Sequence, residues 1–313
     1  MTLQTPIRIG TRDSELALWQ AKTVADKLEK LGHQTQIVPV KSQGDLVLDK
    51  PLYEFGITGI FTKSLDIALL QKEIDIAVHS MKDVPTQLPK GMSQYAVLER
   101  GEVHDLLVYN ADRFDPFETQ TPTPKATIAT GSLRRKAQWL AMYPHHEVVD
   151  LRGNVNKRLE KLETNSWEGA IFAAAGLERL EKNLIHTEDL DWMIPAPAQG
   201  AIMIAGLEEN TTLSEIIQPL NDELTAFCVQ EERDFLRTLE GGCTAPIGAY
   251  AFVIGSNFYF QGGLFSLDGK EKVVVEKTIP LLEASGFGTQ SAKWVLENQG
   301  KQIMQQIKEQ LNK

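Results

Sequence analysis

The chain has little from which to build a covalent or metal framework. Only two cysteines, Cys228 and Cys243, occur among its 313 residues. That is too few for a disulfide scaffold and fits a reducing cytosol. The six histidines fall into no zinc spacing, and the adjacent pair His145-His146, on a polar stretch after Pro144, reads as solvated. No metal site is expected. No apolar run approaches the roughly 20 residues of a membrane span. Residues 1–6 lack the basic start and apolar stretch of a signal peptide, so a cytoplasmic location without a membrane partner is expected. Basic residues are in deficit, with Lys+Arg 32 against Asp+Glu 42 and a net charge of −10. Phosphate backbones need a dominant basic surface, which argues against a nucleic-acid partner. Neither a Gly-x-x-x-x-Gly-Lys loop nor a Gly-x-Gly-x-x-Gly fingerprint occurs to suggest a nucleotide.

What remains is an ordinary soluble composition, 42% hydrophobic and 24% charged, long enough for two or three domains with cores of their own. The pattern predicts a strand over 7–10, then a helix capped by Asp13 or Ser14, striped by Leu16, Trp19, Val24, Leu28 and Leu31 and ended by Gly32. A strand over 36–40, a long polar loop to Gly59, a helix over 61–71 and a strand over 75–78 follow. Further strands are expected over 94–98 and 105–109. The order strand, polar or basic turn, helix then returns at 127–142, 147–163 and 168–184. Ile9-Gly10-Thr11 echoes Ile128-Ala129-Thr130, and Asp75 to Val78 echoes Gly169 to Phe172. Two similar α/β lobes with a cleft between them are implied. A turn-rich link over 195–201 leads to an apolar strand over 202–205. Residues 212–239 read as helix broken at Pro219, with Cys228 an inert core thiol. Antiparallel strands over 249–254, 258–267 and 272–279 and two closing helices form a small α+β domain. The expected partition is 1–100 with 200–218 for one lobe, 104–195 for the second and 221–313 for the third domain. No apolar stripe is left over for a partner, so a monomer is expected.

Within that frame three features carry chemistry. Val78-His79-Ser80-Met81-Lys82-Asp83-Val84-Pro85 sets Ser80, Lys82 and Asp83 where a strand ends, the edge at which open α/β sheets bind ligands. Taken alone, the octapeptide reads as a surface turn with an exposed Lys-Asp pair. Arginines cluster against the acidic background at 134, 135, 152, 158 and 179, several at strand-to-helix turns. Arg134 and Arg135, in the first turn of a helix, oppose its dipole at a local cost of up to about 1 kcal/mol, which an anion would offset. Guanidinium forks match carboxylates or phosphates. Finally, Glu240-Gly241-Gly242-Cys243 through Gly248 describes a loop that presents its cysteine. No histidine has motif support as a base for that thiol, which leaves anchorage of a prosthetic group as its other use.

Six stretches in order give the chain a resemblance to hydroxymethylbilane synthases, also called porphobilinogen deaminases, over essentially its whole length. They are Arg8 to Ser14 with Leu16 to Ala21, Val78 to Pro85, Gly131 to Arg135, Leu151 to Val155, Ala173 to Leu177, and Leu239 to Cys243 continuing through Pro246-Ile247-Gly248. The resemblance implies an α/β fold of two periplasmic-binding-protein-like lobes plus a small C-terminal domain. It also implies an enzyme that joins four porphobilinogen molecules head to tail with loss of ammonia, in tetrapyrrole (heme) biosynthesis. The growing chain would sit on a dipyrromethane cofactor held by a thioether to Cys243. Asp83 would be the catalytic carboxylate, poised over a pyrrole-derived cation, with Lys82 beside it. Arg12, Arg134, Arg135, Arg152, Arg158 and Arg179 would neutralise the acetates and propionates. Ser14, Lys63, Ser80, Thr130, Ser132 and Gln199 would add donors.

Departures from the family pattern fall in two places. The loop reads Gly56-Ile57-Thr58-Gly59, with Thr58 for a lysine, and Gln43 stands where an arginine is frequent. Pro197-Ala198 replaces a more flexible pair before Gln199. A two-lobed solute-binding protein for anionic small molecules is the rival reading; it has no need of Cys243 or of a third domain.

Overall fold

The computed structural model describes residues 5–41, 62–113, 125–182, 184, 186–239 and 245–311. Cys243, Gln43 and the Gly56 to Gly59 loop with Thr58 lie outside the described residues.

The first lobe opens with β1 (Ile7–Arg12), which buries Ile7 and Ile9, and α1 (Glu15–Lys30). Ser14 starts the helix, its Oγ accepting from the Ala17 amide at 3.4 Å. Lys27 and Lys30 lie in its last turn, where the dipole favours cations. Ala21, Val24, Ala25 and Leu28 recur at helical spacing and bury against the sheet. Each fully buried aliphatic side chain of that face contributes about 1.5–3 kcal/mol, so a charge at Val24 would undock the helix. β2 (Thr35–Val40), α2 (Lys63–Leu70), β3 (Ile76–Ser80) and β4 (Met92–Val97) follow.

The second lobe runs β5 (Asp105–Tyr109), β6 (Thr127–Ala129), α3 (Leu133–Met142), β7 (Glu147–Val149), α4 (Val155–Thr164), β8 (Gly169–Ala173), α5 (Ala174–Glu178) and β9 (Thr187–Asp189). The chain then returns to the first sheet as β10 (Ile202–Leu207). The strand orders are β2-β1-β3-β10-β4 and β7-β6-β8-β5-β9. In each, three parallel strands are followed by an antiparallel one and an edge strand. The echo in the sequence is therefore structural, since β1 and β6, and β3 and β8, hold equivalent places.

Beyond β10 come α6 (Thr211–Ile217), a 3-10 turn through Pro219, and α7 (Glu223–Thr238). β11 (Ile247–Ile254), β12 (Asn257–Phe265) and β13 (Lys272–Pro280) form an antiparallel sheet, backed by α8 (Phe287–Val295) and α9 (Lys301–Leu311). Phe235 of α7 packs with Phe258, Phe260, Val295 and Ile303 in its core.

Three local expectations change. The helix from Ala174 ends at Glu178 instead of running to 184. Glu181 takes a φ of +50° and the Lys182 amide turns back to the Leu177 carbonyl at 3.0 Å, which closes the helix early. Strand β9, unforeseen, then pairs with β5. His146 is buried, not solvated: it stacks on Tyr143 with centroids 4.9 Å apart and accepts from Trp139 Nε1 at 3.3 Å. Apolar ring faces on α3 cover it, which its polar neighbours in sequence do not reveal.

Between the lobes the chain crosses twice, and the crossings touch. The Gly101 amide donates to the Gly200 carbonyl at 3.2 Å. Gly200 has a φ of +86°, and a Cβ there would lie 2.6 Å from the Gly101 carbonyl oxygen. Only glycine fits that position.

Candidate active site

β3 delivers the key turn. Past Ser80, residues Met81–Asp83 form one 3-10 turn, closed by the Val84 amide on the Met81 carbonyl at 3.1 Å. Met81 is buried, and its amide donates to the Ala201 carbonyl at 3.0 Å. The turn is thus pinned to the second crossing, with Lys82 and Asp83 half-buried upon it. Ser80 is fixed from α1, where buried Gln20 donates Nε2 to its Oγ at 2.8 Å.

Lys82 leads into a buried network. Its Nζ donates to Gln199 Oε1 at 3.3 Å, and Gln199 Nε2 donates to the Val103 carbonyl at 2.7 Å and to Asp105 Oδ1 at 3.0 Å. Asp105 is fully buried at the start of β5. It accepts from Arg134 Nη1 at 2.6 Å and from Arg135 Nε and Nη2 at 3.0 and 2.8 Å. Burial alone would raise its carboxyl, but the two guanidiniums outweigh that and hold it well below the usual carboxylate range. The anion that offsets two arginines at the start of α3 is therefore supplied in part by the protein itself. Arg134 Nη1 also reaches the Ile194 carbonyl and Arg135 Nη1 the Ile171 carbonyl, at 2.7 and 3.0 Å.

The remaining cations gather around the same turn. Arg158 is pushed down to about 10 by burial and by Arg135, with Arg152 and Arg12 adding to the effect and Asp83 opposing it. Arg12 of the first lobe thus lies close enough for its charge to act on Arg158 of the second. Lys82 is pushed down to about 8 by burial and then by Arg135. Burial also lowers Arg152, against the pull of Asp150. Arg158 Nε rests on the Gly153 carbonyl at 2.7 Å. Gly131 brings α3 up to this group, since a Cβ there would meet the Leu151 carbonyl oxygen at 2.5 Å.

Other candidate residues have structural partners. Ser132 caps α3 through the Arg135 amide at 3.4 Å, and Thr130 Oγ1 accepts from the Ser132 amide at 3.3 Å. Arg179 donates Nη2 to the Gly200 carbonyl at 2.6 Å and lies over the Trp19 ring of the opposite lobe, 5.5 Å from its centroid. Lys63 is exposed on the first turn of α2, and none of these interactions involves it. Cys228 is buried, and burial followed by the Glu232 charge pushes its thiol up to about 12, which keeps it inert.

Asp105, Arg100, Glu232 and Arg233 are among the buried or nearly buried residues that the sequence patterns did not single out. Glu232, fully buried on α7, accepts from Arg100 Nη1 and Nη2 at 2.6 and 3.0 Å, from the Ala198 amide at 2.6 Å and from the Ala251 amide at 2.8 Å. This carboxylate joins both crossings to the C-terminal domain. It also holds Ala198 at a left-handed φ of +62°, a conformation costing a non-glycine residue about 1–2 kcal/mol. Arg233, next on the helix, is buried against the Met81–Pro85 carbonyls.

Desolvated like charges are costly unless an anion neutralises them. Asp105 satisfies only part of this set, and among the described residues the buried Nε of Arg134 has no hydrogen-bond partner. Such a group of cations suits a ligand that bears several carboxylates.

The comparisons with known proteins agree with that geometry. Residues 7–215 match the family model described as porphobilinogen deaminase, dipyromethane cofactor binding domain, and residues 226–297 match the porphobilinogen deaminase C-terminal domain. The chain belongs to the porphobilinogen deaminase family. The cofactor that goes with the larger matched region is dipyrromethane. Among similar curated proteins, the porphobilinogen deaminase of Moorella thermoacetica is 40% identical over 98% of this chain and 98% of its own length. That of Pelobacter propionicus is 38% identical over 96% and 97%. Among solved structures, an ancestral cationic amino acid solute-binding protein matches 69% of this chain and 87% of its own at 12% identity, with a TM-score of 0.43. The Bordetella pertussis BvgS periplasmic VFT2 domain matches 72% and 89% at 12% identity and a TM-score of 0.40. At these scores neither likeness speaks to function.

Proposed function

We propose that this chain is a hydroxymethylbilane-forming transferase that condenses four porphobilinogen molecules head to tail, releasing one ammonia at each step. The observation that carries the reading is the group of cations, with Lys82, Arg152 and Arg158 desolvated, around the turn that bears the Asp83 carboxylate. Each pyrrole brings two carboxylates, so the substrate chain needs many cations. The reaction also needs one negative charge beside the carbon that becomes electron-poor when ammonia leaves. Arg12, Arg152 and Arg158, with whatever N–H groups of Arg134 and Arg135 are left over by Asp105 and the carbonyls, would hold acetates and propionates by charge-assisted hydrogen bonds. Ser14, Lys63, Ser80, Thr130, Ser132, Arg179 and Gln199 would contribute as donors or by positioning them. Asp83, on a turn fixed at both ends, would stabilise the substrate cation electrostatically and accept the pyrrole proton. Lys82 would hold a neighbouring carboxylate within the same site.

When bound, the dipyrromethane supplies the pyrrole terminus from which the product chain grows, and Cys243 would anchor it by a thioether. Residues 1–100 with 200–218, 104–195 and 221–313 would act as three domains. We place the protein in the cytoplasm, as a monomer, without nucleic-acid or membrane partners.

The deciding experiment is the mass of the intact purified protein together with turnover of porphobilinogen. The expected result is a mass excess of two linked pyrrole units, absent in Cys243→Ser, with formation of a linear tetrapyrrole. An unmodified protein that still turns over would overturn the reading.

A further inference from the structure

Three consecutive residues of α7, Glu231, Glu232 and Arg233, are charged, and all are buried. Successive helix positions differ by about 100° in direction, so the three face different bodies. Glu231 accepts from the Gly286 and Gly288 amides at 2.8 and 2.7 Å and caps α8 within the C-terminal domain. Glu232 holds the interlobe crossings. Arg233 faces the turn that carries Asp83.

The Arg233 contact is a fork on main-chain oxygens. Nη1 donates to the Val84 and Met81 carbonyls at 3.0 and 3.3 Å, and Nη2 donates to the Pro85 carbonyl at 2.5 Å. These oxygens come from three of the five residues over 81–85, and between them sit Lys82 and Asp83. Pro85 cannot contribute an amide to hold the chain, and Val84 is committed to the Met81 carbonyl. Thus the exit from the turn is fixed from outside its own lobe by a guanidinium on α7. The same helix leads at its C-terminal end toward residues 240–244, which include Cys243.

We propose that Arg233 is a positioning residue for the reaction: it sets the place of the Asp83 carboxylate relative to α7 and the C-terminal domain. It touches no substrate. Its action runs through three carbonyl oxygens and therefore through the backbone angles at Asp83. Catalytic groups lose effect steeply when displaced, and about 1 Å can cost on the order of 100-fold in rate. A lysine offers one compact ammonium where the guanidinium forks, so Arg233→Lys keeps the charge and loosens the grip. Arg233→Met keeps the bulk and removes every donor.

This inference rests on the proposed role of Asp83, and the test separates the two. Wild type, Arg233→Lys, Arg233→Met, Asp83→Glu and the Asp83→Glu/Arg233→Lys double variant are compared for cofactor mass, kcat and KM with porphobilinogen. Expected for Arg233→Lys is full cofactor loading, kcat lowered about 10–100-fold and KM within about threefold. In the Asp83→Glu background the same substitution should cost less than threefold, because a misplaced carboxylate gains nothing from a well-held turn. A purely structural role would give multiplicative losses, or losses that follow cofactor content, and either result overturns the proposal. Arg233→Met covers the case in which lysine finds the same carbonyls, and turnover within twofold of wild type in both variants would also overturn it. Failure of wild type to turn over porphobilinogen would instead refute the functional reading itself.

Discussion

Replacing Glu232 with glutamine tests how the three bodies are joined. The carboxylate is fully buried and serves four donors, two from Arg100 and one each from the Ala198 and Ala251 amides. Glutamine keeps one carbonyl oxygen and turns the other acceptor into a donor, so a donor faces donors. Arg100, whose side chain is only 11% exposed, is left with an uncompensated charge. Breaking a buried ion pair on one side costs about 3–5 kcal/mol, and an orphaned buried amide alone costs about 1–3 kcal/mol. Glu232→Gln should therefore lose about 4 kcal/mol in urea unfolding, with a melting temperature lower by about 10 °C. Adding Arg100→Met removes the stranded cation and should recover roughly half of the loss, the unserved amides accounting for the rest. A single variant within about 1 kcal/mol of wild type, or a second substitution that only adds to the damage, would refute the view of Glu232 as the joint.

Other outcomes follow from the charges. Lys82, held at about 8, should lose its proton in mildly alkaline solution, so kcat/KM should fall above about pH 8, and Lys82→Arg should shift that limb upward; an unchanged limb would exclude Lys82 as its source. His79 is buried beside Arg12, with burial as the larger cause of its descent to about 4. Its folded value lies below its unfolded one, so the unfolded chain binds the extra proton. Stability should fall between about pH 6.5 and 4, by about 3 kcal/mol in all, and His79→Gln should flatten that slope in urea titrations at stepped pH. Asp83→Glu should keep the charge but misplace it, lowering turnover at least tenfold while intact mass still reports the cofactor; wild-type turnover would remove Asp83 from the central role.

The sequence made the lobes legible because burial there follows local periodicity. Ala21, Val24 and Leu28 mark one helix face, and Ile7 and Ile9 one strand face, without knowledge of what lies opposite. The placement of part of the candidate site was legible for a different reason. Ser80, Lys82 and Asp83 lie within one short run whose strand, turn and proline place them together. The hidden part depends on distant partners. Asp105 meets its arginines across 29 and 30 positions, and Glu232 meets Arg100 across 132. Nothing beside Asp105 marks it as buried, and Gln230-Glu231-Glu232-Arg233-Asp234 resembles a solvated charge run. Three of those five residues are at most 6% exposed. Their burial is dictated by carbonyls, amides and a guanidinium that only the assembled fold supplies.

That charge run bears on where the molecule can be cut. Similarity divides the chain into one unit ending at residue 215 and another beginning at 226, as though the second were a removable module. The forces do not divide there. Excising the smaller unit would strip the Arg100 guanidinium, the Ala198 amide and the Met81, Val84 and Pro85 carbonyls of their α7 partners at one stroke. A single-residue insertion early in α7 would do nearly the same, turning all three charged side chains to the wrong bodies by about 100°. The helix can therefore exchange residues along its length more readily than it can change its length, and the two units are separable in sequence comparison but not in the folded molecule.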